Sequence, residues 1–150
     1  AQTEAEAIGA IIEGADLAGL EAQFLPARLV LGIARDVVRA RIAASRQDWA
    51  EAERLLHAAI EAEAGTGYME PPYWYYPVRQ TLGAVLLKAG RAGEAVAAFE
   101  AALEQMPRNG WALWGLVQAK RAAGQDATVE EAAFAKAWLG EKRLLSLDRL

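Results

Sequence analysis

Apolar residues recur along most of the chain at the three- and four-residue spacing of amphipathic helices. Short segments rich in glycine or proline separate these stretches. The predicted faces are Leu31, Ala34, Val38 and Ile42; Ala52, Leu55, Leu56, Ala59 and Ile60; Val78, Leu82, Val85, Leu86 and Ala89; Ala95, Phe99, Ala102, Leu103 and Met106; Trp111, Trp114, Leu116 and Val117; and a sixth helix over about 128–139. Because turns this short force neighbouring helices to run antiparallel, the pattern predicts an all-α chain of about three helical hairpins.

The turns also define a period. Gly90 and Gly124 lie 34 residues apart, and Gln47 takes the corresponding place in the first hairpin, 43 residues before Gly90. A 34-residue period of paired helices is typical of tetratricopeptide repeats. The predicted hairpins cover about 31–63, 75–106 and 109–139, after a partial helix and connector over 1–30 and before a tail or cap over 141–150. In the third hairpin, Thr128 followed by Glu131 predicts a capping box.

The extra nine residues of the first repeat lie in the segment between Ile60 and Val78, which has an unusual composition. Residues 68–77 hold five of the chain's twelve aromatic residues and three of its five prolines. Two interpretations stay open. One is a proline-stiffened connector that covers the joint between two hairpins. The other is a ligand pocket with a rim at Tyr73, Trp74, Tyr75, Tyr76 and Arg79.

The strings PPYWYYPVRQTLGAVLLKAGRAGEA and PRNGWALWGL resemble the C-terminal repeats of a group of bacterial tetratricopeptide repeat proteins. The resemblance covers about 31–139 and is most specific over 70–125. It implies a short right-handed superhelix with a concave groove for peptides or protein surfaces, and a chain that is the C-terminal part of a longer repeat protein. On this pattern the groove is expected to carry Arg41, Gln80, Lys88, Trp111, Trp114, Gln118 and Arg121. The clamp with which some relatives hold a terminal carboxylate is absent, since its sites carry residues such as Val37, Arg41 and Trp111.

Composition argues against several other classes of function. The chain has no cysteine, a net charge of −4 and no basic stripe, so disulfides, thiolate zinc sites and nucleic-acid binding are not expected. No apolar window is long enough to cross a membrane. His57 is the only histidine, and a helical contact with Glu53 or Glu61 is expected for it instead of catalysis or metal binding. We therefore predict no enzyme activity, no metal and no cofactor.

Three functions remain open from the sequence alone. The first is a non-catalytic scaffold that binds a protein or peptide, and the second is a small-ligand or accessory domain that uses a pocket beside the aromatic segment. The third is a structural end cap that self-associates through exposed terminal faces, where the leucines of the tail are either a cap or a contact surface. A soluble protein is expected, with the cytoplasm favoured over the periplasm.

Overall fold

The computed structural model describes residues 1–150, and every regular element in it is helical. The eight α-helices are α1 Gln2–Gly14, α2 Ala18–Glu21, α3 Ala27–Ser45, α4 Trp49–Gly65, α5 Val78–Lys88, α6 Ala92–Gln105, α7 Gly110–Ala122 and α8 Thr128–Ala137. Single 3₁₀ turns follow at Lys142–Leu144 and Leu147–Arg149. The prediction of an all-α chain of helical hairpins is confirmed. The chain divides into two compact units, Ala1–Val78 and Arg79–Leu150.

The three hairpin turns are built alike. The residues Gln47, Gly90 and Gly124 have φ values of 61°, 80° and 70°, which is the left-handed conformation that often ends a helix. In each turn this residue donates its N–H to the carbonyl three residues earlier, and the next residue donates to the carbonyl five residues earlier, at 2.9–3.1 Å. The alignment of Gln47 with the two turn glycines is therefore confirmed, although Gln47 carries the Cβ that this conformation disfavours.

The first unit is centred on the hairpin of α3 and α4, with α1 packed against α3. Its core is made of small and branched apolar side chains that include Ile33, Val37, Ala52 and Leu56. Helix α4 begins where the Asp48 side chain accepts a hydrogen bond from the Glu51 N–H, which satisfies one of the open donors at the helix start. Helix α3 begins at residue 27, four residues before its predicted start.

The aromatic segment belongs to the first unit and has no regular secondary structure. The rings of Trp74, Tyr75 and Tyr76 form one cluster, with centroids 4.7–5.6 Å apart. The Tyr73 hydroxyl donates to the Phe24 carbonyl at 2.5 Å, 49 residues earlier in the chain. The segment thus folds back on the first unit, and its end is fixed where the Val78 N–H donates to the Glu63 carboxylate at 3.2 Å.

The second unit contains α5 to α8 and the two 3₁₀ turns, and its centre is Phe99 of α6, which is fully buried. The ring lies against the backbone of two helices. A Cβ added at Gly83 of α5 would be 2.8 Å from the ring, and one added at Gly115 of α7 would be 2.3 Å from it. Glycine is therefore required at both positions, since carbon atoms in contact normally lie 3.5–4.0 Å apart.

The predicted capping box at the start of α8 is wrong. Asp126 performs the role instead, because its carboxylate accepts from both the N–H and the hydroxyl of Thr128. Glu131 points to α7, where it accepts from Arg121 at 2.8 Å. An aspartate two residues before threonine competes directly for the donors that the capping box would have used.

Candidate functional site

No group of three or more His, Asp or Glu side chains could hold a metal ion. His57 is exposed on α4, and its Nε2 lies 3.7 Å from Glu53, so the predicted helical contact is confirmed. No helix is long and apolar enough to cross a membrane.

The surface with most features of a binding site is one face of α5, which we call the α5 face and define by Thr81, Ala84 and Lys88. These positions lie about one and two helical turns apart on the side of α5 turned away from Gly83 and Phe99. Thr81 and Ala84 are buried, whereas Lys88 is partly exposed at the end of the helix. The face therefore presents a hydroxyl, a small apolar floor and a cation in a row.

The tail of the chain occupies this face. The Thr81 hydroxyl donates to the main-chain oxygen of Leu150 at 2.6 Å. The Lys88 ammonium donates to the carboxylate of Asp148 at 2.5 Å. Since Asp148 meets the end of α5 and Leu150 meets its start, the tail runs antiparallel to the helix.

The local structure of the tail suits this docking. Residues 147–149 form a single 3₁₀ turn, and the Ser146 hydroxyl caps it by accepting from the Asp148 N–H at 3.2 Å. The turn aims Asp148 at Lys88 and returns the chain so that Leu150 lies beside Thr81. Leu150 is 1% exposed, and Asp148 and Arg149 are exposed.

Apolar burial stabilises the docked tail more than the ion pair does. Burying one leucine side chain contributes about 1.5–3 kcal/mol. The Lys88 and Asp148 side chains are 32% and 75% exposed, and an exposed pair of this kind contributes about 0–1 kcal/mol. The leucine thus holds the tail in place, and the ion pair sets its position along α5.

Two of the predicted groove residues, Gln80 and Lys88, lie on α5, and only Lys88 is available to a partner at the surface. Gln80 is buried, and its side-chain oxygen accepts from Asn109 at 2.8 Å. Asn109 also caps α7 by accepting from the N–H groups of Trp111 and Ala112 in its first turn. The prediction assigned no role to Asn109, although an asparagine just before an apolar run is a usual helix cap.

The four predicted groove residues on α7 lie on a different flank. One side of the helix carries Trp111, Trp114, Gln118 and Arg121 in succession. The other side carries Leu116 and Asn109, and Leu116 is about 200° around the helix axis from Trp114. The Asn109 side chain meets α5. The Trp111 ring instead packs against Trp138, just after α8, with ring centroids 4.8 Å apart and ring planes at 86° to each other.

The α7 flank is therefore turned toward α8 and not toward α5. Arg121 confirms this orientation, because its guanidinium donates to Glu131 of α8. Trp114 and Gln118 are half-buried, and Trp114 has no aromatic ring within stacking distance. The structure thus separates the predicted residues of the second unit into two surfaces. Arg41 lies in the first unit, exposed on α3.

The predicted pocket rim is divided as well. Tyr73, Trp74, Tyr75 and Tyr76 belong to the first unit, and Arg79 begins the second. Within the first unit, an open groove of about 350 Å³ is lined by Glu21, Phe24, Leu25, Pro26 and Leu29. The aromatic segment adjoins this groove at the bond from Tyr73 to the Phe24 carbonyl.

Comparison with known proteins supports the repeat. A model of the tetratricopeptide repeat family matches residues 86–133, from the end of α5 through α6 and α7 into α8. The match covers less than half of the chain and includes the turns at Gly90 and Gly124. No curated protein and no solved structure matches the chain. Residues 86–133 are therefore similar to tetratricopeptide repeats, which commonly form surfaces that bind other proteins.

Proposed function

We propose that this protein is a non-catalytic module that binds a segment of another protein along the α5 face. One observation carries the proposal: a segment of five residues with a single 3₁₀ turn already docks on this face, through a main-chain oxygen, a buried leucine and an acidic side chain. A surface that holds such a segment of its own chain has the chemistry to hold one from a partner.

The α5 face recognises three properties of a peptide at once. The Thr81 hydroxyl bonds a main-chain oxygen, which fixes the path of the backbone. The small Ala84 leaves room for an apolar side chain, and Lys88 selects a negative charge about two turns along the helix. A few polar groups placed around apolar surface are usual for specific binding sites. The tetratricopeptide match, which begins at the end of α5 and includes Lys88, supports a protein partner over a small metabolite.

Selection from a library of random twelve-residue peptides displayed on phage tests the proposal. Peptides that bind the full chain are expected to be enriched, and their binding is expected to fall at least tenfold with Lys88→Glu. Arg121→Glu is the matched control, because it reverses one positive charge on the α7 flank of the same unit. Selection of no peptide contradicts the proposal. Loss of binding with Arg121→Glu but not with Lys88→Glu moves the site to the α7 flank.

A second candidate function is binding of a small apolar ligand in the groove beside the aromatic segment. Its volume of about 350 Å³ lies within the usual range for ligand pockets, about 300–1,000 Å³. Phe24 is 85% exposed at its edge, which leaves apolar surface for a ligand to cover. Fluorescence of anilinonaphthalene sulfonate should rise with the folded protein and fall with Leu29→Asp. Leu139→Asp, at an exposed leucine outside the groove, is the control. Equal fluorescence with both variants contradicts this candidate.

A further inference from the structure

We propose that the tail Ser146–Leu150 is an internal competitor for the partner, and that the partner presents the same chemistry, an acidic side chain two residues before a leucine. The inference rests on the proposed function, since it names the ligand and the regulation of the α5 face. In this account the tail covers the face until a partner segment replaces it.

The contacts of the tail are those of a ligand more than those of a core element. Only Leu150 is fully buried, and Asp148 and Arg149 remain exposed. The two 3₁₀ turns that precede Leu150, Lys142–Leu144 and Leu147–Arg149, contain no buried residue. Phe99, by contrast, is enclosed by the backbones of α5 and α7. A segment with so few buried contacts belongs to the part of a fold that opens most easily, so the tail can leave while the helices stay folded.

The direction and spacing of the docked tail define what can replace it. The replacing segment runs antiparallel to α5, places a main-chain oxygen at Thr81 and a leucine beside it, and places a carboxylate at Lys88. A segment that lacks the acidic group loses the contact that sets its position along the helix. A segment that lacks the leucine leaves open the apolar site that Leu150 now fills. Acidic peptides with a following leucine are therefore preferred over basic or purely polar ones.

The docked tail lowers the apparent affinity of the α5 face for an external peptide by a ratio that can be worked out. A segment tethered by a short linker acts at an effective concentration in the millimolar range. If the same segment binds in trans with a Kd of about 0.1 mM, a tail at about 1 mM weakens an external peptide about tenfold. Removing the tail from the face should therefore strengthen binding of a peptide with the tail's own sequence by about this factor.

A fluorescein-labelled peptide of residues 142–150, KRLLSLDRL, tests this with the full chain. Fluorescence anisotropy should show about tenfold tighter binding to the variant Asp148→Lys/Leu150→Ala than to the unchanged protein. In an Asp148→Ala/Leu150→Ala background, whose tail has no charge to pair with position 88, Lys88→Glu should abolish that gain, and a peptide with lysine in place of the aspartate should restore it. Leu139→Ala, at a leucine that is 97% exposed, is the control and should change nothing.

The outcomes separate the inference from the proposed function. Circular dichroism first establishes that each variant keeps its helices, and Asp148→Lys alone, at an exposed side chain, should give a smaller change in the same direction. Equal affinity of the tail peptide for the unchanged and the released protein overturns the inference, whereas displayed peptides that still depend on Lys88 leave the proposed function intact. If neither the tail peptide nor any displayed peptide binds, both are refuted.

Discussion

Replacement of Gly115 by alanine tests the packing that holds the second unit together. The new Cβ would lie 2.3 Å from Cε1 and 2.4 Å from Cζ of Phe99, more than 1 Å inside the normal contact distance of about 3.5 Å. The ring cannot simply move away, because its other edge lies against Gly83, where a Cβ would be 2.8 Å from the ring. Alanine therefore forces the helices or the ring out of place.

The expected magnitude is the difference between two effects. Overpacking of a filled core costs about 1–3 kcal/mol, and the near-complete enclosure of Phe99 places this site at the upper end. Alanine is favoured over glycine in a helix by about 1 kcal/mol. The net loss is therefore about 2 kcal/mol, or about 8–16 °C in Tm for a unit of this size.

Urea unfolding followed by circular dichroism measures this loss. Gly93→Ala is the matched control, because Gly93 lies in α6 of the same unit with no atom within 4 Å of an added Cβ. It should leave stability unchanged or raise it by up to about 1 kcal/mol. Phe99→Leu should be less harmful in the Gly115→Ala protein than in the original. A Gly115→Ala protein as stable as the original would refute the packing described for Phe99.

Three further predictions concern the turns, caps and ion pairs. Gln47→Gly should stabilise the first unit by about 0.5–1 kcal/mol, measured by thermal unfolding, because glycine tolerates the positive φ of this turn; no gain would contradict it. Asn109→Ala should destabilise the second unit by about 1–2 kcal/mol in urea, through loss of the α7 cap and of the bond to buried Gln80; an unchanged midpoint would contradict it. The hydrogen bond from Lys120 holds the pKa of Glu130 below its ordinary 4.5. The Glu130 carboxylate therefore stabilises the fold fully above pH 4.5, and this stabilisation is lost as the pH falls through the lowered pKa of the folded protein. Glu130→Gln should reduce the slope of stability with pH below about pH 4.5, and an unchanged slope would contradict it.

The sequence predicted the helices and turns because local rules determine them. The 3.6-residue period marks each helix, and Gly90 and Gly124 stand at turns that need a positive φ. At Gly83, inside α5, the reason for a glycine is tertiary, because the ring of Phe99 lies against it. Even Gln47 could be aligned, because the surrounding pattern outweighed its unfavourable residue type.

The candidate site was harder to predict, for two physical reasons. The contact between Thr81 and Leu150 joins residues 69 positions apart, and no periodicity relates a tail to the helix on which it docks. The tryptophans of α7 could be assigned to one side of the helix, but helical spacing alone does not say which neighbour that side meets. The contacts of Trp111 with Trp138 and of Arg121 with Glu131 answer that question.

The central claim is that the α5 face binds protein segments and that the tail lies there. A solution NMR titration of the Asp148→Lys/Leu150→Ala protein with the peptide KRLLSLDRL tests it most directly. The account predicts that the amide signals of Thr81, Ala84 and Lys88 shift most. Shifts concentrated at Trp114 and Arg121, or no shifts at saturating peptide, would contradict it.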